Sequence, residues 1–477
     1  MDTWIETDND GREISRSQRH YQAPTRGDLD REDRVLTILK ERFDEWQTHG
    51  YIPNRRIEPG DETTRLQRER GWTYWSHLFA PRQLLVNGLL AESTALLPLS
   101  RVAKVALTIG IGRCADWNSR LSRWHPAIGN EKSEQVFSNQ ALNTLVNSGV
   151  RPLHALDTTW FARMNISPVS GPAEVTVCDG RSVEAMCDMW MTDPPYADAV
   201  NYAEISEFFL AWYEGRISAI FPAWYSDSKR ALAVRGTDES FRNSMVDCYR
   251  RLADRTLDNS FQVVMFTHQD VSVWAELALI LWAAGLQVCA AWCISTETTS
   301  ELKEGNYVQG TVLLVLRKKL NQDTAFMDEV YQEVEAEVRR QLDGMRDMDD
   351  LKDPNFGDTD YQLAAYATAL RVLTSKTIEE IDVAYELSKT RNRNEKSPVA
   401  ELIERAVKIA CDHLIPNGIE SHVWKPLSSL ERLYLKGLEL ESHGEYRTGV
   451  YQELARGFGV DGKTVPFWRA LEPIKHD

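Results

Sequence analysis

The sequence predicts an α/β protein in which a mixed sheet with a reversed edge strand is flanked by N-terminal and C-terminal helical regions. Three observations carry that prediction. Short apolar runs alternate with helical periodicity between residues 170 and 320. Two of those runs, Gln287 to Thr296 and Tyr307 to Arg317, read as a closing antiparallel pair. Helical patterns occupy the chain on both sides of this stretch. At 477 residues the chain has length and apolar content for two or three domains with real cores.

Taken in order, residues 1 to about 32 read as a polar, basic, extended arm, followed by a helix from Asp33 to Gln47. These form a first region, 1–50. Residues 51–168 form a helical second region. Tyr51 to Gly60 carries two prolines and a terminal glycine and reads as a loop, with helical patterns at Leu66 to Tyr74, Pro81 to Glu92 and Val102 to Arg123. Gly110-Ile-Gly112 lacks a preceding strand and a third glycine, so it reads as small residues at a helix packing contact rather than as a nucleotide loop.

In the third region, 169–320, Glu174 to Cys178 alternates like a strand and stops at Asp179-Gly180, and Met189 to Thr192 is a second short strand. Helices are expected at Tyr202 to Trp212, Phe241 to Leu257 and Trp274 to Ala284, with a polar loop from Asp227 to Ser240 and a strand from Phe261 to His268. The fourth region, 321–477, is helical: Phe326 to Met348, Tyr361 to Leu373, Thr377 to Lys389, Val399 to Leu414 and Leu430 to Ser442. Tyr451 to Val465 reads either as a helix-turn-helix core, with Ala455 and Gly459 permitting a tight crossing, or as a helical tail.

No run of 18 uncharged apolar residues occurs and the N-terminus has no signal-peptide pattern, which predicts a cytoplasmic protein with no membrane partner. Seven scattered cysteines without a CxxC pair predict reduced thiols and no metal site, Cys289 and Cys293 being core residues of a strand. The net charge of -16 is half local, because residues 325 to 360 hold twelve acids against four bases. Arg101 to His125, by contrast, sets Arg101, Lys104, Arg113, Arg120 and Arg123 against Asp116 alone, and residues 51 to 85 hold six arginines against four acids. Basic surface for a nucleic acid is thus available, with ordinary solvated arginines as the alternative.

The most informative motif is Asp193-Pro194-Pro195-Tyr196, set between an apolar run and a helical pattern. An exocyclic amine on a nucleobase is a poor nucleophile, since its lone pair is delocalised into the ring. Asp193 can accept one of its N–H groups. Two prolines stiffen the turn, so the Pro194 carbonyl can accept the second N–H while Tyr196 stacks on the base. A base handled this way has first been flipped out of its stack. The strand-turn-helix context places the motif at the carboxyl ends of the strands, where open α/β sheets bind ligands. With that motif, the third region reads as the back half of a Rossmann-like methyltransferase domain. No strand ending in a glycine-rich turn is found to cradle S-adenosylmethionine.

The chain resembles the C-terminal portion of the large adenine-specific DNA methylases of prokaryotic anti-phage defence loci, whose complete members carry a zinc ribbon. The resemblance rests on Gly71 to Leu85, Asp116 to Trp124, Phe137 to Leu142 and Thr192 to Phe209. It implies that Asp193, Pro194, Pro195 and Tyr196 meet the target amine and base, that Asp179 lies near the cofactor adenine, and that Asn201 and Tyr202 line the base pocket. His268, at the end of its strand, faces the same crevice or is a satisfied polar residue. Arg113, Arg120 and Arg123 are candidate DNA contacts. The implied activity is site-specific DNA adenine-N6 methylation with S-adenosylmethionine, in a defence or restriction-modification system. A protein subunit is expected to supply the glycine-rich cofactor turn. RNA guanine-N2 methylation and a non-catalytic DNA-binding subunit are the alternatives.

Overall fold

A computed structural model of the chain describes residues 2–7, 13–18, 23–125, 132–133, 135–137, 171–195, 201–222, 230, 232–234, 239–268, 271–295, 310–321, 323–348, 358–390, 395–416, 418–442, 451, 454–455 and 457–460. Two compact units result, Met1–Val175 with Val200–Ala233, and Thr176–Ala199 with Val234–Asp477. The sheet and the helices after residue 321 therefore share one unit and one continuous core. Among the described residues no helix is long and apolar enough to cross a membrane.

The first unit opens with an antiparallel hairpin, β1 (Asp2–Thr7) and β2 (Glu13–Gln18), where an extended arm was expected. The basic reading of this stretch also fails, since residues 1–32 hold eight acids against five arginines. Helix α1 (Arg26–Thr48) begins seven residues before the expected start, because Thr25 and Asp28 form a capping box that satisfies two orphan backbone donors. Helix α2 (Thr64–Arg70) stops at Gly71, whose φ of 68° is the left-handed conformation that closes a helix. Helix α3 (Pro81–Leu96) starts on proline and packs closely on α1: a Cβ at Gly88 would lie 2.4 Å from the Trp46 ring.

Helix α4 (Arg101–Trp117) ends six residues before the expected Arg123. Serine hydroxyls compete with the helix there: Ser122 Oγ donates to the Asp116 carbonyl at 2.9 Å and accepts from the Ser119 N–H at 2.9 Å. Arg120 and Arg123 thus lie beyond the helix. Strands β3 (Trp124–His125) and β4 (Lys132–Ser133) pair antiparallel. The expected helix Tyr202 to Trp212 is split at Ser206 into α5 (Tyr202–Ile205) and α6 (Glu207–Ile220). The core gathers around Phe208, which meets Trp75, Phe79, Phe137 and Phe209 at ring separations of 5.1 to 6.1 Å. Such pairs add about 0.5 to 1.5 kcal/mol each beyond area burial.

The second unit is built on a four-stranded mixed sheet: β5 (Cys187–Thr192), β6 (Thr256–Phe266), β7 (Leu286–Ser295) and β8 (Gly310–Lys318), in spatial order β5-β6-β8-β7. β5 and β6 are parallel, and β8 is antiparallel to both β6 and β7. The reversed strand exists, but it is interior and β7 is the edge. Burial explains this: Val312, Leu314 and Leu316 of β8 are at most 1 % exposed and need neighbours on both sides. Helices α7 (Glu239–Asp254) and α8 (Val271–Ala283) cover one face of the sheet, through Thr192 against Tyr249 and Phe266 against Trp274. β6 starts five residues before the expected Phe261, because α7 ends at Asp254 rather than Leu257.

The opposite face is apolar and, among the described residues, exposed in part: Val263 is buried near its middle. Met191, Val263, Val315 and Ala290 lie in one row, and Met265, Leu313 and Trp292 in another. Met191 is 63 % and Trp292 59 % exposed. Among the described residues no strand pairs with the outer edge of β5. The expected strand Glu174 to Cys178 is irregular and exposed, with Val175 83 % in contact with solvent. Its alternation is real, but a strand needs a ladder partner and none is present among the described residues.

After the sheet come β9 (Thr324–Ala325), α9 (Met327–Met348), α10 (Asp358–Ser375), β10 (Thr377–Ile378), α11 (Val383–Ser388), α12 (Pro398–His413), α13 (Ser421–Trp424) and α14 (Ser429–Ser442). The expected helix Thr377 to Lys389 is instead a two-residue strand parallel to β9 and a short helix, because Asp382 caps α11 by accepting the Ala384 and Tyr385 N–H groups. α9 buries Val330, Val334, Val338 and Leu342, the stripe its acidic sequence predicts. Most of Tyr451 to Val465 lies outside the described residues; Gly459 has a φ of 71°.

Candidate functional site

Asp193, Pro194 and Pro195 leave the carboxyl end of β5 as an irregular turn. Asp193 and Pro195 are exposed and Pro194 is buried. The turn rests on α7 and α8, with Pro194 and Pro195 beside Phe241, Met245, Phe266 and Ile280 around a void of only about 20 Å³. That is about one water. The prolines are thus seated on the core, and the Asp193 carboxylate faces solvent. Thr192 anchors the strand end through its hydroxyl, 3.4 Å from that of Tyr249. Tyr196 lies outside the described residues.

Asp179 caps a 3-10 turn, Gly180–Ser182, and its carboxylate is clamped by Arg181, with Nε 2.9 Å from Oδ1 and Nη2 2.6 Å from Oδ2. That hydrogen bonding holds its pKa below the usual carboxylate value. The described residues leading into it are irregular, so Asp179 does not follow the strand expected at Glu174 to Cys178. His268 is half-buried just past β6, and its carbonyl accepts the Trp274 indole N–H at 2.8 Å.

The other candidates belong to the first unit. Arg113, Arg120 and Arg123 are all half-buried. Arg113 donates to Asp116 at 2.8 Å and lies 4.5 Å over the Trp117 ring; the Arg120 backbone N–H donates to the Leu78 carbonyl; that of Arg123 donates to Gln135. Burial lowers the Arg120 pKa. Exposed arginines of the same unit include Arg101 on α4 and Arg65, Arg68 and Arg70 on α2. Asn201 donates its side-chain amide to Asp61 at 3.4 Å.

Tyr202, 71 % exposed, borders a cavity of about 440 Å³ with Phe137, Phe209, Ile205, Ser206 and Asp116. Among the described residues of the wall, Asp116 is the one charged group; it accepts the Val136 N–H at 3.0 Å, and burial raises its pKa. Phe137 has a φ of 61°, which for a bulky side chain costs of order 1 to 3 kcal/mol, the kind of strain found at functional sites. Asp116, Phe137 and the Tyr202 to Phe209 stretch, far apart in sequence, meet here.

Sequence reading missed a buried acidic pair. Glu204 accepts N–H groups from Asp61, Glu62 and Thr63, and a Cβ at Gly60 would lie 2.3 Å from its carboxylate. Glu207, fully buried, takes a bidentate bond from Arg230 at 2.7 and 2.9 Å, while Arg230 also donates to the Pro59 carbonyl. Two acids within an otherwise apolar helical run were the available signal. Among the described residues no group of three or more metal-ligating side chains is found. In comparison with known proteins, no family model, no curated protein and no solved structure matches the chain.

Proposed function

We propose that this chain is the base-binding part of an S-adenosylmethionine-dependent DNA adenine-N6 methyltransferase of a defence or restriction-modification system, and that it works with a partner polypeptide. One observation carries the reading: an Asp-Pro-Pro turn leaves the carboxyl end of β5, parallel to β6, in a sheet whose reversed strand lies between β6 and β7. A turn at the carboxyl end of a strand in a parallel pair lies where open α/β sheets bind ligands, and that position supports the reading.

The chemistry follows from the turn. The Asp193 carboxylate and the Pro194 carbonyl accept the two N–H groups of the target amine, returning electron density to nitrogen. Positioning and these preorganised acceptors supply the rate. The cofactor supplies the methyl group. The described residues do not fit the whole of it, because the Asp179 carboxylate is engaged by Arg181 and no glycine-rich cradle is among them. The cradle is assigned to the partner. The exposed apolar side chains Met191 and Trp292 on one sheet face, beside a β5 edge that no described strand pairs, agree with such a partner.

The test is nucleoside analysis of DNA and RNA after incubation with cofactor and the chain, co-expressed with a candidate partner bearing a glycine-rich turn. N6-methyladenine in DNA is the expected product. N2-methylguanine in RNA would replace the reading with the RNA alternative, and DNA binding without any methylation would leave a non-catalytic subunit.

A further inference from the structure

We infer that the first unit holds a binding site for one planar, amino-bearing heterocycle of purine size, in the cavity bordered by Asp116, Phe137, Tyr202 and Phe209. Every described residue of the site lies in the first unit, so the inference does not rest on the methyl-transfer reading. At about 440 Å³ the cavity falls within the size of small-molecule pockets, roughly 300 to 1,000 Å³. Its wall has the composition a base requires. Three aromatic rings line it, and among the described residues the Ser206 and Tyr202 hydroxyls and the Asp116 carboxylate are the polar side-chain groups.

The carboxylate is held in a fixed orientation. Its Oδ1 takes the Val136 N–H and its Oδ2 takes Arg113, which leaves a second lone pair on each oxygen for an N–H at the edge of a ring. An anionic ligand would be repelled by the same group, and a purely apolar one would leave it desolvated. Tyr202 is mostly solvent-exposed beside the cavity, which suits a ring that closes over a bound base rather than one recruited to a core. Phe137 reaches its place only through a left-handed backbone, and it meets Phe208 edge to face at 5.5 Å.

The experiment titrates the full chain with 2-aminopurine riboside, without S-adenosylmethionine, and follows fluorescence quenching. Saturable quenching is expected, with competition by adenosine. Tyr202→Ala should weaken it by about tenfold or more, the usual consequence of removing one stacking ring, while Tyr202→Phe retains it. Asp116→Asn should weaken adenosine more than purine riboside, which lacks the amine. Arg346→Ala, an exposed position in the other unit, should leave binding unchanged. Absence of saturable quenching, or equal binding by Tyr202→Ala with its fold verified by circular dichroism, would overturn the site. Loss of binding in Asp193→Ala would also overturn it, by moving the ring to the Asp-Pro-Pro turn. None of these outcomes touches the methylation assay.

Discussion

A Cβ added to Gly112 would lie 1.7 Å from the hydroxyl of Tyr213, which donates to the Ile109 carbonyl at 3.3 Å. The glycine is therefore a packing residue between α4 and α6, and no phosphate needs to be invoked for it. Gly112→Ala is expected to destabilise the first unit by about 1 to 3 kcal/mol, the usual cost of overpacking. Gly344→Ala is its control: nothing lies within 4 Å of that Cβ in α9, so the change should stabilise by about 0.4 to 1 kcal/mol. Urea midpoints of the two variants should move in opposite directions.

The same contact sets an alkaline limit. Burial pushes the Tyr213 hydroxyl up to about 12 and the neighbouring Cys114 thiol to about 12, against ordinary values of 10.0 and 9.0. The folded state then holds protons that the unfolded state has released. Stability from these groups is full below pH 9 and is lost as pH rises from 9 towards 12. Urea denaturation at pH 8, 9.5 and 11 should show the decline, and Tyr213→Phe should make it shallower. An unchanged slope in that variant would remove Tyr213 from the account.

The arginines in and just after α4 illustrate what the sequence could not reveal. A charge count cannot separate Arg113, committed to Asp116 and Trp117, from Arg65, Arg68 and Arg70, which are exposed on α2. Removing the three α2 arginines is expected to reduce the slope of log K against log salt for DNA binding by about 0.9 for each phosphate that is no longer neutralised. Arg113→Ala should instead lower stability with little change in slope. A slope that responds only to Arg113, Arg120 and Arg123 would return DNA binding to that segment.

Local signals were legible wherever local chemistry decides the outcome. The short apolar run Met189 to Thr192 and the prolines after it placed a strand and its turn correctly, and the apolar stripe of α9 did the same for a helix. Long-range partners were not legible. Val175 and Val177 alternate as a strand would, yet no neighbour among the described residues pairs with them. Asp116 and Phe137 join Tyr202 only through tertiary packing, and Glu204 declares its role only once the Gly60 turn folds over it. The order of β7 and β8 likewise depends on which apolar run is buried from both sides.

Asp193→Ala tests the turn directly. The carboxylate is exposed at the end of β5 and contributes nothing to the core, so the variant should fold with an unchanged melting temperature. Methyl transfer, measured with the required partner, should fall by about a hundredfold or more, as when one preorganised transition-state acceptor is removed. DNA affinity should be nearly intact, because phosphate contacts made elsewhere dominate it. Activity within a few fold of the parent would exclude Asp193 from the reaction.

The clamp of Arg181 on Asp179 bears on cofactor binding by the isolated chain. The carboxylate expected beside the cofactor adenine already has a bidentate partner, so binding there must break a charge-assisted pair before it gains one. Bonds of that kind contribute about 1.5 to 3 kcal/mol each, and each 1.4 kcal/mol forgone is about a factor of ten in affinity. The purified chain is therefore expected to show no calorimetric binding of S-adenosylmethionine at micromolar concentration, and to gain it when mixed with a partner carrying a glycine-rich turn. Arg181→Ala should not restore binding to the chain alone, since freeing Asp179 supplies one acceptor and no cradle. Tight binding by the unmixed chain would show that the cofactor cradle is complete within it, and would end the two-polypeptide reading while leaving the Asp-Pro-Pro turn in its role.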